Sequence, residues 1–429
     1  MSATIIVGSQ WGDEGKGKLI DYLAQKADFV VRYNGSGGAA HTVVNEHGTF
    51  KLHLLPCGAF SKKTKLLITN GVVIEPELLL SEIEMVEKAG FNLKNRLTIS
   101  PRCHLVFPYH KILDKAVGDL FAKTGKSPTT GRGNGPVNAD KITYTGIRLY
   151  DLYDANYFSE RLETSVTVKN KFIEALGAIP VDYSSIKTAT LDFFAKIKPY
   201  LAETLPLVNQ ALAKGQKVIF EGVNGVMLDN DWGAYPYVTT ASTLPSYIAQ
   251  GAGVALKKIK YQVIGSAKSY MTRVDNGECP LPSEWEENQT TKDFRDRANE
   301  YAAGTGRPRR IAWFDTEVLK FTNRLCSFDQ LFLTRLDTLS GFKKLKICVG
   351  YTYQGKKVTY LDGDAQFYRK VKPVYLTLDG WSEDISICTK FSDLPINVKR
   401  YVKKIEQLVG IKVKYIANGP KRENLIVVN

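Results

Sequence analysis

Short apolar runs alternate with amphipathic stretches along most of the chain, and that alternation predicts a repeating strand–helix order. Residues 3–7 (ATIIV) read as a buried strand, followed by a glycine-rich loop from Gly8 to Gly17 and a helix over 18–25. A second strand over 29–33 (FVVRY) leads into another glycine cluster, NGSGGAAHT at 34–42. The two loops are expected side by side at the carboxyl ends of neighbouring strands. Further strands are predicted at 65–68, 217–220, 262–264, 330–334, 345–349 and 412–416, with amphipathic helices over 75–89 and 398–409. In the second helix Tyr401, Val402, Ile405 and Val409 form one stripe. Strands alternating with helices imply a mostly parallel central sheet covered on both faces. Residues 101–206 read as a mainly helical insertion, and the Lys-rich, aromatic, alternating text of 341–395 as a small antiparallel region. Without an internal repeat or a Pro/Ser linker, residues 1–429 are expected to form a single α/β domain with the insertion inside it.

Charge changes the picture next. The chain carries 58 Lys and Arg against 44 Asp and Glu, a net charge of +14. That excess suits a polyanion such as nucleic acid or a site that gathers several small anions, and a plain basic surface is the third reading. No stretch reaches the roughly 18 apolar residues of a membrane-spanning helix, so no membrane partner is expected. The first residues lack the basic region and apolar core of a signal peptide, and a cytoplasmic protein is expected. Six scattered cysteines without a CxxC pair indicate reduced thiols in or near the core. The five histidines, all before residue 111, lack paired ligand spacing, so a transition-metal site is not expected.

Six segments carry candidate chemistry. GSQWGDEGKGK (8–18) follows a strand and opens a helix, and Gly12, Gly17 and Lys18 have the GxxxxGK spacing of a phosphate loop. Backbone amides, a helix N-terminus, Lys16 and Lys18 would all favour phosphate. Leu19 stands where the usual Ser or Thr would hold Mg²⁺, so Asp13 becomes the candidate metal ligand. The alternative is an ordinary glycine turn. In the second segment, His41 follows a run of small side chains and is expected to be free to reach a reacting group, although most lone histidines are structural. The third, TTGRGNGP (129–136), offers Thr129, Thr130 and Arg132 as an anion cradle, and by itself is weak. The fourth, 220–240, ends a strand in Glu221-Gly222 and offers Asn224 and Thr239 to a heterocycle or phosphate; an ordinary polar loop fits equally. The fifth, AAGTGRPRR (302–310), places Arg307, Arg309 and Arg310 on a turn suited to clamping carboxylate or phosphate, or simply to solvent. The sixth, LFLTRLD (331–337), ends a strand in Asp337, a carboxylate able to read guanine or to cap a helix.

Taken in order, WGDEGKGK, TTGRG, TGRPRR and LTRLD resemble the adenylosuccinate synthetases, and the match runs from Ile5 to GPKREN at 419–424. The resemblance implies a P-loop-GTPase-like topology and a homodimer. It also implies ligation of L-aspartate to the six-position of inosine monophosphate (IMP), with Mg²⁺ and GTP, through a 6-phosphoryl intermediate to adenylosuccinate, GDP and phosphate. It makes Asp13 the general base, with His41 and Lys16 acting on the transferring phosphoryl group, and Asp13 with Ala40 the metal ligands. Gly12, Glu14, Gly15, Gly17, Lys18, Thr42, Arg309, Arg335, Asp337, Ala417 and Gly419 match GTP-binding positions. Gly38, Thr130, Asn224 and Thr239 match acceptor-nucleotide positions, and Thr305 and Arg307 match aspartate positions.

Departures from the family pattern gather around the acceptor. Gly38 replaces an asparagine that touches the nucleotide, Asn224 replaces a glutamine, and Tyr144 stands about where the family has a partner-subunit arginine that reaches the nucleotide phosphate, so that charge is missing. Arg335 replaces a lysine, and Gly304 a threonine. The preferred reading remains IMP as acceptor. The alternatives are a sister ligase acting on another purine nucleotide, such as dGMP or another deoxynucleotide, and a non-catalytic nucleotide-binding protein. Asp13 argues against the dGMP branch, which replaces the base aspartate, and intact Asp13, Lys16, His41 and Arg307 argue against lost catalysis. With several anionic substrates to hold, the basic excess no longer calls for nucleic acid.

Overall fold

The computed structural model describes residues 3–122, 129–274, 279–302, 306–358 and 362–429. Its first unit follows from the apolar run that opens the chain. β1 (Ala3–Gly8) is buried along nearly its whole length, and the glycine-rich loop after it delivers the chain into α1 (Lys16–Ala24). Next come β2 (Phe29–Arg32), a hairpin of β3 (His41–Asn45) and β4 (Gly48–Leu52), then β5 (Lys65–Ile68), α2 (Pro76–Lys88) and β6 (Leu97–Ile99). Helices α3 (Pro108–Ala122), α4 (Asn134–Ile142), α5 (Ala155–Ala175), α6 (Tyr183–Ile197) and α7 (Thr204–Ala213) then follow one another before the chain returns to the sheet. The return strand is β7 (Val218–Gly225), followed by β8 (Tyr261–Lys268), α8 (Gln289–Arg297), α9 (Thr316–Cys326) and β9 (Gln330–Thr334).

Among the described residues the central sheet has nine strands. It is completed by β10 (Val413–Ala417) and β11 (Leu425–Val427) in the order β11-β10-β9-β8-β1-β7-β2-β5-β6. All neighbours are parallel except the β10–β11 edge pair. Alternate side chains feed two cores, as a sheet covered on both faces requires. Ile5, Val7, Phe220, Leu331 and Leu333 pack on one face, and Ile6, Val30, Ile219, Ile264 and Phe332 on the other. In a separate small sheet, residues 344–352 pair antiparallel with 372–379. Helix α10 (Ile396–Val409) buries Tyr401, Val402, Ile405 and Val409 as its sequence stripe predicts, and ends at Gly410 in the left-handed region, φ 76°. Cys57, Cys103, Cys279, Cys326 and Cys348 are buried free thiols.

Two expectations need correction. β1 and β2 are not neighbours, because β7 lies between them and pairs parallel with both. Chain order does not set spatial order in a parallel sheet, since a right-handed crossover can skip a position that a later strand fills. β7 also runs on to Gly225 instead of stopping at Phe220. The loops after β1 and β2 are therefore separated by the carboxyl end of β7, which carries Glu221 and Asn224 to the middle of that edge.

Phe220 is fully buried between β1 and β2. Phe220→Ala is expected to cost about 3–5 kcal/mol of unfolding free energy, measured by urea denaturation, while Val427→Ala on the exposed edge strand should stay within about 0.5 kcal/mol.

Candidate active site

The loop between β1 and α1 turns on Asp13, whose φ of 60° is costly for a non-glycine residue, and enters the helix through Gly15 at φ 75° without a side-chain cap. Its donors are met from within. Glu14 is fully buried; its Oε1 accepts the amides of Gln10 at 3.1 Å and Gly12 at 2.9 Å, and its Oε2 accepts Lys16 Nζ at 2.7 Å. A carboxylate thus sits among the amides and ammonium of a loop that the sequence assigns to phosphate. Lys18, expected to face phosphate as well, instead donates from Nζ to the carbonyls of Gly419 and Asn424, both at 2.6 Å. It thereby fastens α1 to the segment after β10. Arg422 adds a second clasp, with Nε 2.6 Å and Nη2 3.0 Å from the Asp21 carboxylate.

His41 opens β3 and is buried, which corrects the expectation that it is free of its surroundings. Its Nδ1 lies 2.6 Å from Glu221 Oε1. Glu221 also accepts Arg32 Nη1 at 3.0 Å and the Cys57 amide at 2.8 Å. Burial alone would raise the Glu221 carboxyl, but hydrogen bonding from His41 and the charge of Arg32 hold it at about 2. Burial pushes His41 down to about 4 against the upward pull of Glu221, so the ring rests neutral. His41, Cys57 and Glu221 present ligand atoms within 4.8 Å of one another. Arg32 already balances the carboxylate and burial raises the Cys57 thiol well above its usual range, so these groups form a hydrogen-bonded network. The sequence reading missed Arg32 and Glu221 as site residues; their signal is a charge at the end of an apolar strand run, FVVR and VIFE.

A second buried carboxylate, Glu300, gathers Lys268, Arg309 and Arg335. Arg309 bridges Asp13 and Glu300, with Nε 2.7 Å from Asp13 Oδ2 and Nη1 2.7 Å from Glu300 Oε2. Glu300 also holds Lys268 Nζ at 2.8 Å and has Arg335 Nε at 3.8 Å. The three arginines do not form one clamp. Arg310 turns to Glu284 and the Cys279 carbonyl, while Arg307 is half-buried on a turn whose carbonyl accepts the Ala302 amide at 2.8 Å. Thr305 and Gly304 lie outside the described residues. Arg335, at φ 62°, precedes Asp337, whose carboxyl is raised by burial. Ala417 ends β10, and the following Asn418 donates from Nδ2 to the carbonyls of Ile385 and Cys388 at 2.7 and 2.8 Å.

The acceptor positions are drawn together by asparagines. Asn34 Oδ1 accepts the Val223 amide at 2.9 Å while its Nδ2 donates to the Ser242 carbonyl at 2.8 Å, which ties Asn224 and the 239–242 turn to the loop after β2. Asn138 Nδ2 donates to Thr240 Oγ1 at 3.0 Å, bringing α4 to the same turn, and a side chain at Gly38 would meet Thr130 and Asn134. Arg132 is engaged with Glu75, both oxygens at 3.3 Å from Nη1, beside Lys111 at 2.6 Å. Tyr144 is 90% exposed just beyond α4.

A parallel sheet with strand–glycine-loop–helix at its centre, and anion-seeking groups at the carboxyl edge of its strands, defines a nucleotide-binding α/β protein. The family model described as adenylosuccinate synthetase matches residues 5–426. The adenylosuccinate synthetase of Thermoanaerobacter sp. (strain X514) is 42% identical, over 100% of this chain and 99% of that protein. The fully ligated adenylosuccinate synthetase structure from Plasmodium falciparum superposes with a TM-score of 0.94 at 34% identity, covering 100% of both chains. The cyanophage S-2L succinoaminodeoxyadenylate synthetase, solved with dGMP and dATP, shares the fold at a TM-score of 0.62 and 19% identity, over 99% and 95% of the two chains. This chain belongs to the adenylosuccinate synthetase family.

Burial sets the Lys18 ammonium at about 7, well below the ordinary lysine value near 10.4 that it takes when unfolded. Between those values the unfolded chain binds more protons, so this group makes stability rise with pH across the interval. Lys18→Met should flatten the increase in urea midpoint between about pH 7 and pH 9.

Proposed function

We infer that this chain, a GTP-dependent ligase, joins L-aspartate to the six-position of IMP, with Asp13 at the point where the substrates meet. The observation that carries this reading is the Asp13–Arg309 contact of 2.7 Å, which brings the phosphate loop and the segment around Arg309 to one carboxylate. The six-oxygen of an oxo-purine is a poor leaving group. Asp13 takes the N1 proton, the six-oxygen attacks the γ-phosphorus of GTP as the bond to the β-phosphate oxygen breaks, and the aspartate amine then forms the C6–N bond as phosphate leaves. Lys16, exchanging Glu14 for phosphate, stabilises the negative charge on the transferring group, and His41 does so as the protonated ring, donating from Nε2 while Nδ1 stays on Glu221. Arg307 holds the aspartate carboxylates, with Thr305. Asp337 and Arg335 receive the guanine, Arg309 contacts the GTP phosphates, and Thr42 and the 417–419 segment complete the GTP site.

Mg²⁺ fits the donors on offer. The Asp13 carboxylate is partly exposed on its strained turn, and both it and the Ala40 carbonyl are hard oxygens, unlike the nitrogen, sulfur and carboxylate set around Cys57. When bound there the ion supplies positive charge to the phosphates. The partner is a second copy of this chain. Support comes from Ile142, Tyr144, Tyr150, Tyr153, Tyr157 and Phe172, a group of exposed apolar side chains along the helical part. No helix among the described residues is long and apolar enough to cross a membrane, and the small polar substrates of this reaction place the enzyme in the cytoplasm on the present reading.

Asn134 enters the acceptor site as a residue not recognised in the sequence. A Cβ built on Gly38 would collide with Asn134 Nδ2 and stand 3.6 Å from Thr130 Oγ1, and Asn134 Oδ1 is buried without a hydrogen-bond partner. Its carboxamide takes the space left by the asparagine that family members carry at position 38. Asn134→Ala is expected to raise the acceptor KM about tenfold with the GTP KM unchanged. Gly38→Asn alone should also impair binding, and the double variant should recover most of the loss. Additive losses in the double variant would count against this exchange of roles.

The activity itself is checked by phosphate release with GTP, Mg²⁺, aspartate and a panel of IMP, dIMP, GMP and dGMP. Release with IMP is expected. Release only with another nucleotide identifies a sister ligase, and none with any identifies a binding protein. Asp13→Asn should lower turnover by about 10²–10⁴-fold while GTP binding is retained.

A further inference from the structure

A buried carboxylate bonded to one nitrogen of an imidazole decides which nitrogen carries the proton and where the other one points. Glu221 stands in that relation to His41. Four donors converge on its two oxygens: His41 Nδ1 at 2.6 Å, Arg32 Nη1 at 3.0 Å, the Cys57 amide at 2.8 Å and Cys57 Sγ at 3.1 Å. Arg32 and Glu221 are fully buried and face each other in register on the adjacent strands β2 and β7. The carboxylate therefore cannot swing without breaking an ion pair inside the sheet. The other ring nitrogen, His41 Nε2, is buried and has no hydrogen-bond partner in the protein. A buried polar atom left without a partner calls for an explanation, and a ligand atom supplies one.

The stem of His41 is also packed closely. A Cβ on Gly17 would fall 3.1 Å from His41 Cβ and 3.3 Å from Cys57 Sγ, so the His41 stem lies against the first turn of α1 at a glycine. We infer that Glu221, locked in register by Arg32, is the positioning residue for His41 and presents Nε2 to the transferring phosphoryl group. This rests on the role given to His41 above. A carboxylate serving only to neutralise Arg32 would have no need of the 2.6 Å contact with the imidazole.

A double-mutant cycle separates the two roles. Full-length wild type, Glu221→Gln, His41→Asn and the double variant are assayed with IMP, GTP and aspartate. The formation of the 6-phosphoryl species is followed separately by oxygen-isotope scrambling in GTP. Glu221→Gln is expected to lower kcat and scrambling about 10–100-fold with each KM within about threefold. In the His41→Asn background the same change should cost less than about threefold. An equal cost in both backgrounds overturns the proposal, because the carboxylate would then act independently of the ring. Full activity in His41→Asn overturns the underlying role of His41 itself, a result distinct from additivity. If Glu221→Gln does not fold, ¹⁵N spectra of the five histidines in the wild-type enzyme decide: the proton on Nδ1 of His41 supports the proposal, and the proton on Nε2 overturns it.

Discussion

A site that must gather several anions has to survive folding without them. Cations buried for phosphate and carboxylate ligands would repel one another and lose hydration unless something negative stands among them. In this protein three buried glutamates do so. Glu14 holds Lys16 and two loop amides, Glu221 holds Arg32 and His41, and Glu300 holds Lys268 and Arg309 with Arg335 close by. Each glutamate joins a ligand-binding segment to another element at the carboxyl edge of the sheet, or the phosphate loop to itself, so charge balance and loop placement are the same set of contacts.

The three carboxylates differ in what a ligand can do to them. Glu14 lies inside the glycine-rich loop and accepts the amides and the lysine that such a loop offers to an anion. Glu221 lies deeper, with its ion pair between two parallel strands, and has no room to leave. Glu300 is buried too, but its partner Arg309 reaches across to Asp13, so the two carboxylates share one guanidinium. A single fold thus holds one counter-charge within a loop, one fixed inside the sheet and one shared between two segments.

Much of the catalytic side could be read in the order of residues. Glycine loops, paired lysines and a carboxylate at a strand end obey local rules of phosphate and base recognition, and motif spacing carries them from relative to relative. The acceptor side was less legible. The sequence shows a glycine at position 38, whereas only the structure brings the Asn134 carboxamide, from the start of α4 nearly a hundred residues on, against that glycine. Lys18 and Arg310 also looked like phosphate ligands by position, yet fold onto the Gly419 and Asn424 carbonyls and onto Glu284.

By itself the sequence determined the alternation of strands and helices and the buried stripes, because each depends on neighbours within a few positions. The tertiary structure decided the insertion of β7 between β1 and β2, and with it the place of Glu221 beside His41. That outcome depends on which strand fills a gap left by an earlier crossover. A chain pattern with a period of two or 3.6 residues carries no record of a pairing between residues 32, 41 and 221.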